Sequence, residues 1–192
     1  MYAISPTLRP SHPTLIAVSR ALAVARGSLV AEWTRWTLDR VAAAPTVRPA
    51  TLERQLGVIV DILIEMAGPL RRKAVELWLT ACEGYGRTAA ERGLAAGEVV
   101  EEIQHLRELL IRHLSEVIAA LPARASMANV LRLNRLLDTG IAHAVVGYTD
   151  TLVETLFNQR GVPVGVSGPL EDEIEQRLSQ AEAELARLRQ GS

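Results

Sequence analysis

The chain has few of the residue types on which several functions depend. Cys82 is its only cysteine, Lys73 is its only lysine, and aromatic residues make up 4% of its 192 positions. A single cysteine excludes an internal disulfide and suits a reducing compartment. Because aromatics are scarce, the core must be built from Leu, Ala, Val and Ile, and a haem pocket is disfavoured.

Charge of one sign and long apolar runs are also missing. The 21 basic residues balance 22 acidic ones, giving a net charge of -1, so no general positive field attracts nucleic acid. The apolar run Leu15–Ala25 is interrupted by Arg20 and followed by Arg26, which argues against an export signal. No window approaches the roughly 20 consecutive apolar residues of a membrane span. We therefore expect a soluble, cytoplasmic protein with no membrane or nucleic-acid partner.

Apolar residues recur at three- and four-residue steps along most of the chain, which is the spacing of one helix face. They predict an all-α fold with five core helices, and no segment alternates like a strand. The expected helices cover about 14–43, from 51 to the Gly68–Pro69 break, 70–92, 96–121 and 127–159. We expect an irregular lead-in over 1–13, a helical domain over 14–160, a Gly/Pro linker over 161–169 and an amphipathic helix over 170–190.

The last predicted helix has an apolar stripe of heptad type, although it is short for a coiled coil. We expect this helical arm and the long first helix to carry the contact of a homodimer. The interface candidates are Leu22, Leu29, Trp33, Trp36, Ile174, Leu178 and Leu185.

Polar side chains interrupt the apolar stripes of the fourth and fifth helices. Projection at about 100° per residue places Glu102 and His113 on one edge of the fourth helix's apolar arc and Arg107 on the other. Asp138 lies at the rim of the fifth helix. Half-buried charges are costly unless they are paired, so we expect Arg107 to meet Asp138, with Glu102 as the second choice. Such groups either lock two helices together or line a small cavity or a movable interface.

No motif for catalysis or metal binding is complete. Glu102 and His105 have the E-x-x-H spacing of di-iron bundles, but those sites need a second such motif and two further glutamates. His105 also projects away from the apolar arc. Cys82 has apolar neighbours and no nearby histidine, which indicates an inert thiol. We therefore expect no enzyme, no metal and no cofactor.

Short motifs spread over about residues 15–160 resemble one bacterial family. They are Trp33, Tyr85-Gly86-Arg87, Arg92-Gly93, Val99-Val100, Glu102, Leu106-Arg107 and Leu136-Leu137-Asp138. This pattern is similar to the N-terminal sensor domains of the stressosome regulator (RsbR-type) superfamily, relatives of which precede many histidine kinases. The resemblance implies a dimeric, globin-like or bundle-like input domain, usually without haem, that passes a signal into a following helix.

These observations lead to one functional expectation and two alternatives. We expect a non-catalytic bacterial input domain that dimerises and acts on a kinase, a phosphatase or a stressosome component. No output domain follows residue 160 in the sequence, so the chain is either a stand-alone regulator or the front of a longer protein. The ligand or switch candidates are Arg87, Glu102, Arg107, His113 and Asp138. The alternatives are a small-molecule or haem sensor, with His105, His113 or His143 as haem ligand, and a histidine phosphotransfer protein.

Overall fold

The computed structural model describes residues 12–40, 47–158 and 168–190, and these contain six helices and no strand. The predicted all-α, bundle-like fold is therefore confirmed. The predicted lead-in and linker fall mainly outside the described residues. The helices are α1 (His12–Arg40), α2 (Pro49–Ala67), α3 (Arg71–Glu91), α4 (Ala96–Ala119), α5 (Ala123–Asn158) and α6 (Gly168–Gln190).

Five of these helices pack side by side in a closed ring. The order around the ring is α1, α2, α3, α5 and α4, and α4 contacts α1 again. Each helix turns its apolar stripe inward, as the three- and four-residue spacing requires. Burying one Leu, Ile or Val side chain contributes about 1.5–3 kcal/mol to the free energy of folding. The largest aliphatic side chains with almost no exposure are Leu22, Leu29, Leu52, Leu56, Ile62, Leu63, Leu106, Leu109 and Leu110.

Helix α1 is more apolar than we expect from the sequence, where no stretch approaches the length of a membrane span. Among the described helices it alone is long and apolar enough to cross a membrane, with a mean hydropathy of 1.4. Core helices of soluble proteins and signal sequences share that property. Val18, Leu22 and Leu29 are at most 1% exposed within the ring. One face of α1 is therefore part of the core, while 22% of its most apolar stretch is buried in all.

The turn from α3 to α4 depends on one glycine. Gly93 has φ 79°, in the left-handed region that side chains disfavour. The N–H of Leu94 donates to the carbonyl of Ala89, and the N–H of Gly93 donates to the carbonyl of Ala90. These two bonds form a Schellman motif, which satisfies the last carbonyls of α3 and reverses the chain.

Helices α3 and α5 form the most extensive pair in the ring, and their backbones touch. A Cβ atom placed on Gly86 would lie 1.8 Å from the carbonyl oxygen of Ala144. One placed on Gly147 would lie 2.1 Å from the carbonyl oxygen of Glu83. Real Cβ atoms do not approach so closely, so the two glycines permit this contact. Gly86 weakens the isolated helix but is required by its packing.

Helix α6 lies outside the ring, against α2 and α3 of the same chain. Ile174, Leu178 and Leu185, which the heptad pattern predicts at a dimer interface, are 2%, 6% and 4% exposed. An amphipathic helix must bury its apolar stripe, and the groove between α2 and α3 accepts it within one chain. Leu22 and Leu29, also predicted at the interface, are buried in the core. None of these five side chains is available on the surface of the folded chain.

We expect Gly147→Ala to lower the free energy of unfolding by about 1–3 kcal/mol, the usual cost of overpacking a core. Gly84→Ala is the matched control, because a Cβ there meets nothing within 4 Å. Alanine is favoured over glycine in a helix by up to about 1 kcal/mol, so the control should hold or gain stability. Urea unfolding measures both. Equal responses of the two variants would contradict the close contact.

Candidate functional site

An ion pair lies inside the ring beside the turn from α3 to α4. Arg92 Nη1 lies 3.0 Å from Glu102 Oε1, and Arg92 Nη2 lies 2.6 Å from Glu102 Oε2. Each side chain is only 4% exposed. The planar guanidinium and the carboxylate thus meet through two parallel hydrogen bonds, which fixes their mutual orientation.

Two aromatic residues complete this buried network. The Tyr85 hydroxyl donates a hydrogen bond to Glu102 Oε2. Trp33 Nε1 donates to the backbone carbonyl of Glu102 over 3.0 Å, and the Trp33 and Tyr85 rings lie 5.8 Å apart. Side chains of α1, α3 and α4 therefore converge on one residue. We call Trp33, Tyr85, Arg92 and Glu102 the buried network.

The buried network holds fixed protonation states at neutral pH. Burial, together with the negative charge of Glu102, raises the pKa of the Tyr85 hydroxyl well above its ordinary value. Burial alone would lower the pKa of Arg92, but the negative charge and hydrogen bonds of Glu102 oppose this effect, and the pKa is raised. Tyr85 therefore stays a hydrogen-bond donor and Arg92 stays cationic, so neither serves as a base.

The helix projection identified Glu102 as a candidate but missed its partners. It placed Glu102 at the edge of the apolar arc, whereas the residue is 3% exposed. Arg92 stands at the end of α3, where a basic residue usually indicates a solvated helix terminus. One sequence feature could have predicted this pair. Glu102 is an acidic residue within an apolar stripe, and Arg92 precedes it by ten positions, on the other side of the turn at Gly93.

Arg107 and Asp138 form an ion pair between α4 and α5, the pairing that the projection favours. The Asp138 side chain is 62% exposed, and such a surface pair contributes about 0–1 kcal/mol. Arg87 is half-buried on α3. Burial raises the pKa of the nearby Glu91, and the positive charge of Arg87 offsets part of that rise. The structure does not bring the candidate residues into one site, and their roles as ligand or switch groups stay predictions.

Two histidines bridge neighbouring helices through carboxylates. His113 Nε2 on α4 lies 3.0 Å from Glu32 Oε1 on α1. His143 Nδ1 on α5 lies 2.7 Å from Glu83 Oε1 on α3. Both rings therefore have structural partners, and each joins two helices that are adjacent in the ring.

The third core histidine packs on a tryptophan. His105 stacks on Trp36 with ring centroids 4.3 Å apart and planes within 9°. The projection places His105 away from the apolar arc of α4, and there its ring packs on Trp36, where burial lowers its pKa. Trp36 is half-buried by this contact and by Arg40, whose guanidinium lies 4.6 Å from the ring centroid. Within the described part of the chain, no three His, Cys, Asp or Glu side chains are grouped as a metal site requires.

A row of ion pairs borders the apolar contact of α6. Arg54 on α2 meets Glu182 through two hydrogen bonds, of 2.9 Å from Nε and 2.6 Å from Nη2. Arg189 Nε lies 2.7 Å from Glu65 Oε1 near the other end of α2. Because residue numbers rise together along the two helices, α6 runs parallel to α2.

The first turn of α6 is held by the residue that precedes α2. Arg48 Nε lies 2.6 Å from Glu171 Oε2, and Arg48 Nη2 lies 2.9 Å from Glu175 Oε1. The Arg48 backbone N–H also donates to Glu171, and this bond is the main reason that the pKa of Glu171 is lowered. The hydrogen bond from Arg54 likewise lowers the pKa of Glu182. We call the pairs of Arg48, Arg54 and Arg189 the α6 rim.

We expect Arg92→Met and Glu102→Leu each to destabilise the fold by about 3–5 kcal/mol, because each leaves a buried charge without its partner. The double variant should lose much less than the sum, since it removes both charges. Arg107→Met with Asp138→Leu is the control cycle, and each change there should cost at most about 1 kcal/mol. Denaturant unfolding measures all six proteins. Additive losses in the buried pair would contradict the coupling.

Comparison with known proteins gives one match. A family model described as the RsbT co-antagonist protein rsbRD N-terminal domain matches residues 27–161. Searches of curated proteins and of solved structures found no significant match. The matched region starts within α1 and contains the whole of α2 to α5, so it includes the buried network.

This match agrees with the resemblance carried by Tyr85-Gly86-Arg87, Arg92-Gly93 and Glu102. Two of those motifs contribute Tyr85 and Arg92, which bind Glu102 inside the ring. The family model spans more than half of the 192 residues. The chain therefore belongs to the RsbT co-antagonist protein rsbRD N-terminal domain family and is a stressosome-type signalling regulatory domain.

Proposed function

We propose that this chain is a non-catalytic input domain of the bacterial cytoplasm whose output element is α6. In this proposal α6 exchanges between its groove on α2 and α3 and a contact with a second protein. The second protein is a signalling component such as a kinase, a phosphatase or another stressosome protein. The ring of α1 to α5 stays folded during the exchange.

The observation that carries this proposal is the way in which α6 is attached. Its apolar stripe is buried, and the Arg54–Glu182 pair beside it lies at the surface, with side chains 36% and 43% exposed. Exposed ion pairs contribute about 0–1 kcal/mol each and are screened by salt. The Arg54–Glu182 contribution to the attachment of α6 is therefore small and sensitive to salt. The same heptad-type stripe suits binding to another helix once it is released.

We also propose that two copies associate through α5. Val146, Val153 and Leu156 are 49%, 43% and 66% exposed and lie on one side of that helix, with Leu152 beside them. Several large apolar side chains exposed on one helix favour a protein partner. A symmetric contact would let each copy cover the same surface of the other. This surface replaces the buried residues that the sequence predicts at the interface.

We expect Arg54→Glu to loosen α6 selectively. The variant places a second carboxylate next to Glu182. Hydrogen exchange of the α6 amides should therefore become about 5- to 10-fold faster, which corresponds to about 1–1.4 kcal/mol. The α4 amides should keep their protection. The charge-swapped protein, Arg54→Glu with Glu182→Arg, is the matched control and should recover most of the protection. Faster exchange of the whole ring together with α6 would show that α6 is not a separate element.

We expect low pH and high salt to loosen α6, as Arg54→Glu does. The pKa values of Glu171 and Glu182 are lowered in the folded chain from an ordinary value of 4.5. Their pairing therefore favours docking above pH 4.5 and is lost as the pH falls through the folded pKa values. Relative to intrinsic exchange rates, α6 protection should fall below pH 4.5 and in 1 M salt. Unchanged protection in both conditions would contradict the role of the α6 rim.

We expect Val153→Glu combined with Leu156→Glu to convert a dimer into a monomer, because two charges would be buried at the contact. Light scattering coupled to size-exclusion chromatography gives the mass, which should fall from twice the 20.9 kDa chain to that of one chain. Val24→Glu is the control, since Val24 is 84% exposed on α1. A monomeric parent protein, or equal dissociation by the control, would refute the α5 contact.

A further inference from the structure

A cavity of about 150 Å³ lies between α6 and the groove formed by α2 and α3. Its wall is mainly apolar and includes Val58, Ile59, Leu77 and Leu178. A cavity of this volume is large enough to hold a molecule the size of benzene. Gly84 is part of the same wall, and a Cβ atom there meets nothing within 4 Å.

The α2 wall of this cavity contains a buried amide. Gln55 is 5% exposed, and its Nε2 donates to Thr88 Oγ1 over 3.1 Å. Its Oε1 is buried and has no hydrogen-bond partner in the described ranges. A buried carbonyl oxygen without a donor is unfavourable, and a ligand hydroxyl or N–H would satisfy it.

The α6 wall contributes a guanidinium. Arg177 Nη2 lies 2.9 Å from Glu173 and 3.7 Å from Glu91. Its Nε and Nη1 are buried without an acceptor among the residues that the structure describes. Glu184 also lines the cavity. Arg177 already pairs with two carboxylates, and Glu184 is a third at this cavity, so a neutral acceptor suits the site better than an anion.

We propose that this cavity binds a small neutral molecule with a compact apolar body and one hydroxyl or amide group. The apolar body would contact Ile59, Leu77 and Leu178. The polar group would donate to Gln55 Oε1 and accept from Arg177. Because the ligand contacts both the groove and α6, its binding alters how α6 is held. This last step rests on the proposed function, whereas the binding site itself does not.

The first test is an NMR titration with three probes of similar size: benzyl alcohol, toluene and benzoate. Benzyl alcohol should give saturable amide shifts confined to α2, α3 and α6, with an affinity several-fold higher than that of toluene. Benzoate should bind most weakly, because its charge meets Glu91, Glu173 and Glu184. Absence of saturable shifts with benzyl alcohol, or tighter binding of benzoate, would overturn the assignment.

Three variants locate the site and its polar contact. Gly84→Leu places a side chain into the cavity and should abolish binding, while Gly84→Ala should weaken it less. Gln55→Leu keeps the volume but removes the amide, so it should erase the preference for benzyl alcohol over toluene. Circular dichroism reports whether each variant is folded. Unchanged binding to folded Gly84→Leu, or an unchanged preference in Gln55→Leu, would contradict the proposal.

Hydrogen exchange of α6 with and without saturating benzyl alcohol separates the two proposals. A change of several-fold in α6 protection, with none in α4, would support both the site and α6 as the output element. Site-specific binding without such a change would support the cavity and count against its coupling to α6. A change that persists in folded Gly84→Leu would show that the probe acts elsewhere and would refute the cavity.

Discussion

The buried pair of Arg92 and Glu102 determines how the ring of helices closes. Both charges lie almost out of reach of water, so each must have the other in place when the chain folds. Glu102 also accepts the Tyr85 hydroxyl, and its carbonyl accepts Trp33 Nε1. The side-chain carboxylate and the backbone carbonyl of Glu102 therefore join α1, α3 and α4. Replacing such a pair by apolar residues is often neutral for stability, whereas removing one partner alone is strongly destabilising.

The sequence predicts the helices well because their spacing and their breaks are local properties. Pro122 precedes α5 and Gly93 follows α3, so both helix boundaries are visible without any tertiary information. The pairing of Arg107 with Asp138 also follows from helix projections, because both residues sit at the rims of neighbouring faces. Burial depth does not follow from a projection. The projection places Glu102 at the rim of α4, whereas Trp33, Tyr85 and Arg92 contact it in the structure and it is 3% exposed.

The apolar stripe of α6 shows a second limit of sequence reasoning. Its spacing requires an apolar partner but does not specify whether that partner belongs to the same chain. In the structure the partner is the groove of α2 and α3, where Ile174 and Leu178 are buried. The basic residues that border this groove, such as Arg54, match the acidic residues of α6. That complementarity is scattered over more than a hundred positions of sequence, so no local window reveals it.

The backbone contact between α3 and α5 has a mechanical consequence. Packed helices commonly adjust to one another by small shear movements, in which side chains change rotamer. Gly86 and Gly147 have no side chain that could change rotamer. The carbonyl oxygens of Ala144 and Glu83 lie directly against these two glycines and oppose sliding of one helix along the other. We therefore expect α3 and α5 to resist sliding against each other. Because α3 is also a wall of the α6 groove, we expect a molecule bound in that groove to displace α6 more readily than α3.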